Sequence, residues 1–192
     1  VQPKFTKKQF VAIGRFTDKK APYYTILAFK KAIKNHPEAT LIMAGDGQLL
    51  NTCKNLVKHL GIEAQVEFPG VITPERYREL LSESLGFVQH SIAAETGDME
   101  GTPLAVLEAS AAGLPVISTN HAGIPDVIIH GEAGLLCEEH EVAAMANNML
   151  VLLDNPSLAK EMGQAGKKNI LENFSMERHI QVLQNTLSEY KY

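Results

Sequence analysis

The sequence predicts an α/β fold in which helices cover both faces of a parallel sheet. Short apolar runs alternate with longer stretches of helical pattern from residue 10 to about residue 136, and this alternation is typical of βαβ units. The runs are almost continuously apolar, as strands buried on both faces require. No linker or repeat interrupts the pattern, so we expect one Rossmann-like, three-layer domain over residues 1–192.

The apolar runs and the Gly and Pro residues between them define the predicted elements. Strands are predicted at 10–14, 40–44, 65–68, 86–88, 115–118 and 133–136, and helices at 22–34, 49–60, 74–82, 102–112, 124–129, 140–153, 156–172 and 175–192. Thr73 is expected to cap the third helix. Gly61 and Gly113 are expected to end the helices that precede them.

Composition excludes several classes of protein. The net charge is −4, with 45% hydrophobic and 21% charged residues, which is typical of a globular protein and argues against a nucleic-acid-binding surface. Cys53 and Cys137 have no metal-binding spacing, so we expect buried free thiols in a reducing compartment. No apolar run approaches the roughly 20 residues that a membrane-spanning helix needs.

Ligands of open parallel sheets bind beyond the carboxyl ends of the strands. Three predicted loops at those ends have unusual sequences, at residues 14–20, 45–47 and 91–101. The first is basic, the second contains two glycines and the third is acidic. We therefore expect a binding site formed by these loops.

The helix predicted at 102–112 contains an isolated carboxylate. Thr102 is expected to cap it and Pro103 to lie in its first turn. Glu108 has only apolar neighbours on its own helix, and a helix that is apolar all round is normally buried. A buried carboxylate needs hydrogen-bond donors, so we expect a ligand hydroxyl to bind Glu108. The alternatives are that Glu108 pairs with a distant Arg or Lys or lies at the rim of the domain.

A second carboxylate, Glu100, precedes this helix. At about 1.5 Å of rise per residue, the eight-residue spacing to Glu108 corresponds to roughly 12 Å, comparable with the span from a hexose to a ribose across a diphosphate. The helix N-terminus between the two carboxylates favours a phosphate. The segment is therefore predicted to hold a sugar, a diphosphate and a ribose in line.

The segment from Glu100 to Gly113, followed by 114–119 and 122–126, resembles glycosyltransferase family 4, a family of retaining GT-B enzymes. The family's Glu-x7-Glu pair is matched by Glu100 and Glu108. The resemblance implies that Glu100 contacts the donor sugar and that Glu108 contacts the ribose. Between them, the residues implied to line the donor are Gly101, Thr102, Pro103 and Leu104.

The basic loop after the first strand also resembles the family, whose pattern there is Gly-Arg-x4-Lys-Gly. Arg15 and Lys20 match its basic positions, and Ala21 replaces the second Gly. The resemblance implies that both cations hold the donor diphosphate, Arg through a planar fork and Lys as a point charge. Fixed cations stabilise the charge that develops on the leaving group, so Arg15, Lys20 and Glu100 are the predicted catalytic residues. Lys19 is the second candidate for the lysine.

Other positions are less specific. Gly45, Gly47 and Val71 are expected on the base side of the nucleotide, although turn formation alone would explain the glycines. The acidic loop 95–100 could suggest a metal site, but the resemblance implies an enzyme without metal or cofactor. His90 and Gly123 are expected near the donor, with structural explanations equally open.

The resemblance covers about residues 10–174 and implies the C-terminal, donor-binding domain of a bacterial glycosyltransferase. Such an enzyme transfers a sugar from a nucleotide diphosphate sugar to a glycan or lipid-linked acceptor in cell-surface polysaccharide or lipopolysaccharide synthesis. The acceptor domain would lie N-terminal to this chain, and the isolated domain would transfer little. A cytoplasmic location is expected, with peripheral association of the full protein at the inner face of the plasma membrane as an option.

Two alternatives remain open. The first is another GT-B enzyme, a phosphorylase or a nucleotide-sugar epimerase, although no segment resembles the pyridoxal phosphate site of a phosphorylase. The second is a non-catalytic nucleotide-binding module. The final helix, with Ile180, Leu183 and Leu187 in register, is expected either to cross back towards the acceptor domain or to pack on its own sheet.

Overall fold

A computed structural model describes residues 1–189 as a six-stranded parallel sheet with helices on both faces. The strands are β1 (Gln9–Ile13), β2 (Thr40–Ala44), β3 (Val66–Gly70), β4 (Gly86–Gln89), β5 (Val116–Thr119) and β6 (Gly134–Cys137). The helices are α1 (Pro22–Ala32), α2 (Leu50–Leu60), α3 (Pro74–Glu83), α4 (Leu104–Ala112), α5 (Ile124–Val127), α6 (Val142–Asp154), α7 (Pro156–Asn173) and α8 (Met176–Glu189). The predicted fold class is confirmed.

The strand order is β3-β2-β1-β4-β5-β6. The chain moves outwards from β1 to β3, returns to the centre at β4, and then moves outwards on the other side. The loops that leave β1 and β4 therefore diverge from neighbouring strands. This arrangement opens a crevice at the carboxyl ends of β1 and β4, where doubly wound sheets bind their ligands.

Alternating side chains of the central strands pack on opposite faces of the sheet. Phe10 and Leu41 belong to an apolar cluster that includes residues of α1, α2 and α6. Val11 and Ile42 belong to a second cluster with residues of α3, α4 and α5. The continuous apolar character of the strands follows from this double burial.

The structure confirms the predicted cap of α3, the predicted glycine ends of α2 and α4, and the predicted buried thiols. Thr73 caps α3 by accepting a hydrogen bond from the backbone N–H of Arg76. Gly61 and Gly113 end α2 and α4 with positive φ angles of 63° and 93°. Cys53 and Cys137 are buried free thiols.

Several helix predictions were wrong in detail. Helix α4 begins at Leu104 rather than at residue 102, its N-cap residue is Pro103, and no side chain caps it. Thr102 is therefore not the cap, because the chain stays extended at Pro103 (ψ 125°) before it enters the helix. Helix α5 ends at Val127, two residues earlier than predicted.

Helix α8 exposes its apolar side chains. Ile180, Leu183 and Leu187 are between 46% and 68% exposed, so they do not pack on the chain's own sheet as one alternative required. Residues 190–192, included in the predicted helix, lie outside the described residues. Within the described part of the chain, no helix is long and apolar enough to cross a membrane.

Close packing of α7 against the end of α4 depends on Gly163. A Cβ atom at this position would overlap the carbonyl oxygen of Gly113, a backbone atom that cannot move aside alone. We expect Gly163→Ala to lower the free energy of unfolding by about 1–3 kcal/mol, as overpacking does. Denaturant unfolding followed by circular dichroism measures this change.

The matched control for Gly163 is Gln164→Ala on the same helix, because Gln164 is exposed. This variant should stay within about 0.5 kcal/mol of the parent. Equal stability of the two variants would show that α7 does not pack as tightly as the structure indicates.

A neutral histidine is buried directly after β4. His90 is 0% exposed, and its Nε2 accepts a hydrogen bond from the backbone N–H of His140 at 3.0 Å. Burial, assisted by the neighbouring His140 and His121 and opposed by Glu139, lowers the pKa of His90 to about 4. As the pH falls, His90 therefore becomes protonated at a higher pH in the unfolded chain than in the folded chain.

The protein should lose stability as the pH falls from about 6.5 to about 4, by up to about 3 kcal/mol from His90 alone. The contribution of His90 to stability is fully present above the pKa that His90 has in the unfolded chain, about 6.5. It is lost as the pH falls towards the pKa of His90 in the folded chain, about 4. We expect His90→Gln to flatten the dependence of the unfolding free energy on pH over this range, measured by urea unfolding at several pH values. The exposed His59 provides the control: His59→Gln should keep the slope of the parent, and an equal slope in both variants would contradict the prediction.

Candidate functional site

The loops that leave β1 and β4 meet through a lysine and a glutamate. The Nζ atom of Lys20 lies 3.3 Å from Oε1 of Glu100, and the two side chains are only 15% and 10% exposed. Oε1 of Glu100 is buried, and apart from this ion pair with Lys20 it has no hydrogen-bond partner among the described residues. A buried oxygen in this state favours a donor from a ligand.

Lys20 is held in a partly desolvated position. Its ammonium donates to Oε1 of Gln89 at 3.3 Å, and its aliphatic chain lies against Gly14. Burial lowers the pKa of Lys20, whereas the Glu100 carboxylate acts in the opposite direction. A cation with little competing water interacts strongly with an anionic ligand.

The neighbouring Lys19 has a different role. Its ammonium forms an ion pair with Asp98 at 3.0 Å and donates to the carbonyl of Met99 at 3.3 Å. Lys19 therefore holds the acidic loop, while Lys20 contacts Glu100. The structure thus separates the two candidate lysines by their contacts.

Ala21 replaces a glycine of the family pattern at a position with left-handed backbone. Its φ angle is 33°, a region in which glycine is unstrained and other residues cost about 1–2 kcal/mol. The backbone at this position suits the usual glycine.

Arg15 is exposed at the mouth of the crevice. It shares a small cavity with Lys20 and Gln89. It also lines an open cleft of about 490 Å³ together with the predicted base-side residues, Gly45, Gly47 and Val71. The diphosphate and base-side candidates are therefore contiguous.

The loop after β2 requires glycine at two positions for structural reasons. A Cβ atom at Gly45 would overlap the carbonyl oxygen of Gly14, and one at Gly47 would overlap the backbone of Phe16. Both also have positive φ angles, of 133° and 150°. Close packing of this loop on the β1 loop therefore requires glycine whether or not a base binds here.

The N-terminus of α4 follows Glu100 closely. The first intrahelical bonds run from Val106 and Leu107 to the carbonyl of Pro103, so the amides of Leu104 and Ala105 precede them and have no intrahelical acceptor. Such amides, with the helix dipole, favour an anion. The implied donor-lining residues Gly101, Thr102 and Leu104 are exposed, and Pro103 is buried.

Gly123 packs against the segment before α4. Its N–H donates to the carbonyl of Gly101 at 3.2 Å, and an added Cβ atom would meet the hydroxyl of Thr102. The β5 loop therefore supports the residues that lead into α4. This contact explains Gly123 without a ligand.

Glu108 lies at the rim of the domain, which was one of the alternatives, and it is not buried as the apolar character of α4 predicted. Glu108 is exposed, as is Leu104 one turn earlier. Its Oε2 accepts a hydrogen bond from the hydroxyl of Tyr77 on α3 at 2.7 Å. Burial and the Glu108 carboxylate together raise the pKa of Tyr77, so the phenol stays protonated as the donor.

The spacing argument for the two glutamates also changes. Residues 100–103 precede α4, so helical rise does not set the separation between Glu100 and Glu108. Helix geometry applies only from Leu104 onwards. The two carboxylates nevertheless lie on either side of the helix N-terminus in the chain.

Sequence reasoning missed four side chains around this site. Gln89 contacts Lys20, and Tyr77 binds Glu108. His121 accepts a hydrogen bond from the backbone N–H of Glu100 and contacts Glu139. The polar Gln89 at the end of an apolar strand could have been identified from the sequence as a candidate site residue. The other three form hydrogen bonds with residues 18 to 31 positions away, and no local pattern predicts such contacts. Within residues 1–189, no group of three or more His, Cys, Asp or Glu side chains could hold a metal ion.

Several known proteins are similar to this chain in sequence. The chain is 32% identical over 175 residues to N-acetyl-alpha-D-glucosaminyl L-malate synthase of Bacillus anthracis, covering 91% of this chain and 44% of that protein. It is 29% identical over 165 residues to the putative colanic acid biosynthesis glycosyltransferase WcaL of Escherichia coli, covering 85% of this chain and 41% of that protein. The chain thus spans less than half the length of these relatives.

A solved structure has the same architecture. A mutant of TarM from S. aureus, in complex with fondaparinux, alpha-GlcNAc-glycerol and UDP, superposes with a TM-score of 0.84 at 23% identity. The superposition covers 96% of this chain and 36% of TarM. The family model described as glycosyl transferases group 1 matches residues 2–169, and this chain belongs to that family.

Proposed function

We propose that this chain is the nucleotide-sugar-binding domain of a retaining glycosyltransferase. It would act with an acceptor-binding domain to transfer a sugar from a nucleotide diphosphate sugar to a glycan or lipid-linked acceptor. The observation that carries the proposal is the contact between Lys20 and Oε1 of Glu100, a buried oxygen that has no other hydrogen-bond partner among the described residues. A sugar hydroxyl is a suitable donor for that oxygen.

The leaving group of this reaction is a nucleoside diphosphate, which gains negative charge as the glycosidic bond breaks. Arg15 and Lys20 supply two cations at one cavity, and the free amides at the start of α4 supply aligned dipoles. Lys20 and the α4 amides are held in place before the reaction, so they stabilise the developing charge without reorganisation, and the exposed Arg15 adds a second positive charge. Glu100 would orient the sugar beside the bond that breaks.

Glu108 is the proposed ribose ligand, although it lies at the rim of the domain. Tyr77 donates to Oε2 of the exposed Glu108, so Oε1 would accept hydrogen bonds from the ribose hydroxyls. The cleft of about 490 Å³ between the β1, β2 and β3 loops would take the base. TarM, which has the same architecture over this chain, was solved in complex with UDP, and this supports a nucleotide as the ligand.

Retention of configuration is part of the proposal because the sequence resembles a retaining family. No protein nucleophile is assigned, since front-side attack by the acceptor needs none. A role in cell-surface polysaccharide synthesis is supported by the similarity to WcaL, a putative colanic acid biosynthesis enzyme. Location at the inner face of the plasma membrane stays a prediction.

Lys20 should dominate the affinity for the diphosphate. We expect Lys20→Met to weaken binding of the chain's preferred nucleoside diphosphate by roughly 10- to 100-fold, because a charge-assisted hydrogen bond contributes about 1.5–3 kcal/mol. Isothermal titration with UDP, GDP and ADP identifies the base and measures the loss.

Lys19→Met is the matched control, since it removes the same charge from the adjacent residue. Its ammonium is bound to Asp98, so this variant should lose less than threefold. Equal losses would assign the effect to general electrostatics, and an absence of binding to any nucleotide would favour a scaffold over a transferase.

Glu100 should act only when a sugar is attached to the nucleotide. The ratio of the Kd for the nucleoside diphosphate to the Kd for its sugar conjugate defines the gain from the sugar. We expect Glu100→Gln to lower this gain by about tenfold, a loss near 1.4 kcal/mol, with the Kd for the nucleotide alone kept within threefold. Titrations with UDP-glucose, UDP-N-acetylglucosamine, GDP-mannose and ADP-glucose measure the gain.

The exposed Glu95 of the same loop provides the control for Glu100. Glu95→Gln removes an equal charge and should leave the gain unchanged. If Glu100→Gln also kept the gain of the parent, the contact between Glu100 and the sugar would be excluded.

A further inference from the structure

Behind Glu100, a chain of hydrogen bonds links the ends of three neighbouring strands. The backbone N–H of Glu100 donates to Nε2 of His121 at 3.2 Å. Nδ1 of the same ring lies 2.6 Å from Oε1 of Glu139, and Oε2 of Glu139 accepts from the backbone N–H of Ala93 at 3.0 Å. Glu139 is therefore joined to the β4 loop at both ends, directly at Ala93 and through His121 at Glu100.

The geometry fixes the tautomer of His121. Because Nε2 accepts the Glu100 N–H, the ring proton resides on Nδ1 and is donated to Glu139. The ring is 2% exposed, so water does not compete for these bonds. Partial burial tends to raise the pKa of Glu139, but the hydrogen bonds from His121 and Ala93 outweigh it, and the pKa is lowered overall. Glu139 is thus an anionic acceptor, which strengthens both bonds.

The backbone next to both side chains is strained. Ala122 follows His121 with a φ angle of 47°, and His140 follows Glu139 with a φ angle of 67°. Residues other than glycine adopt this region at a cost, and such strain persists where the surroundings determine it. At His140 the backbone N–H is also held by the buried His90. Two separate loops thus adopt unfavourable conformations that aim His121 and Glu139 at the β4 loop.

We propose that His121 and Glu139 are positioning residues for Glu100. They fix the main chain of Glu100, so that its carboxylate stays beside Lys20, where we propose that it binds the donor sugar. This inference rests on the proposed function, in which Glu100 binds the sugar. Neither side chain is required to touch the nucleotide.

A purely structural role is the competing explanation. His121 and Glu139 would then only join the β5 and β6 loops, and their loss would lower stability and all affinities together. A positioning role predicts something narrower. The gain in affinity from the sugar should fall, while binding of the bare nucleoside diphosphate should persist.

The binding experiment compares the parent with four variants of the 192-residue chain. Titrations use the preferred nucleoside diphosphate among UDP, GDP and ADP and the corresponding conjugates among UDP-glucose, UDP-N-acetylglucosamine, GDP-mannose and ADP-glucose. We expect His121→Leu and Glu139→Gln to lower the gain from the sugar at least fivefold, with the Kd for the bare nucleotide within twofold. His121→Gln keeps an acceptor for the Glu100 amide and should recover at least half of the lost gain on a logarithmic scale.

His59→Leu, at an exposed histidine, is the control and should match the parent. An unchanged gain in His121→Leu, or an equal loss for nucleotide and nucleotide sugar, would overturn the positioning role. If the parent binds no nucleotide, the proposed function fails, and the role towards a sugar fails with it.

A second measurement tests the network without any ligand. Amide hydrogen exchange of Glu100 should accelerate at least tenfold in His121→Leu because its acceptor is lost. The amide of Ile92, bonded to the carbonyl of Lys19 at 2.9 Å, lies outside the network and should keep its protection. Unchanged exchange at Glu100 would refute the bond, and equal acceleration at Ile92 would indicate general loosening of the loop instead.

Discussion

The site depends on the reversal of strand order between β1 and β4. Neighbouring parallel strands whose loops turn in opposite directions leave a crevice at their carboxyl ends. In this chain, the β1 loop brings Lys20 and the β4 loop brings Glu100 to the same crevice, 3.3 Å apart. The contact depends on the order of the strands and not on local sequence, because 80 residues separate Lys20 from Glu100.

Burial gives this contact its chemical importance. Lys20 and Glu100 are both mostly covered by protein, so their charges are weakly screened. The carboxylate partly offsets the desolvation of the ammonium, which keeps a cation available for an anionic ligand. At the same time, the buried Oε1 of Glu100 has no partner besides Lys20 among the described residues. The site is thus organised for a ligand that carries an anion and a hydroxyl close together.

The helix after Glu100 illustrates how a sequence pattern can mislead. Helix α4 is apolar on nearly every side, and such helices are normally buried all round. In the structure, only the face formed by Val106, Ala109, Ser110 and Ala112 is buried, while Leu104 and Glu108 are exposed. Within the protein, Glu108 accepts a hydrogen bond from a tyrosine of another helix, and not from the Arg or Lys that the sequence offered as one alternative. Whether an apolar face of a helix is exposed depends on which other elements pack on it. The sequence of the helix alone therefore does not predict which of its apolar faces are buried.

The sequence by itself determined the alternation of strands and helices, the helix ends at Gly61 and Gly113 and the cap at Thr73, because these depend on periodicity and on residues a few positions apart. It also identified the loops that contain Arg15, Lys20 and Glu100. Only the tertiary structure decided which lysine meets Glu100, which tyrosine binds Glu108, and that His121 and Glu139 hold the Glu100 main chain. These contacts join residues distant in sequence, and their geometry follows from strand order and loop packing, which leave no local pattern in the chain.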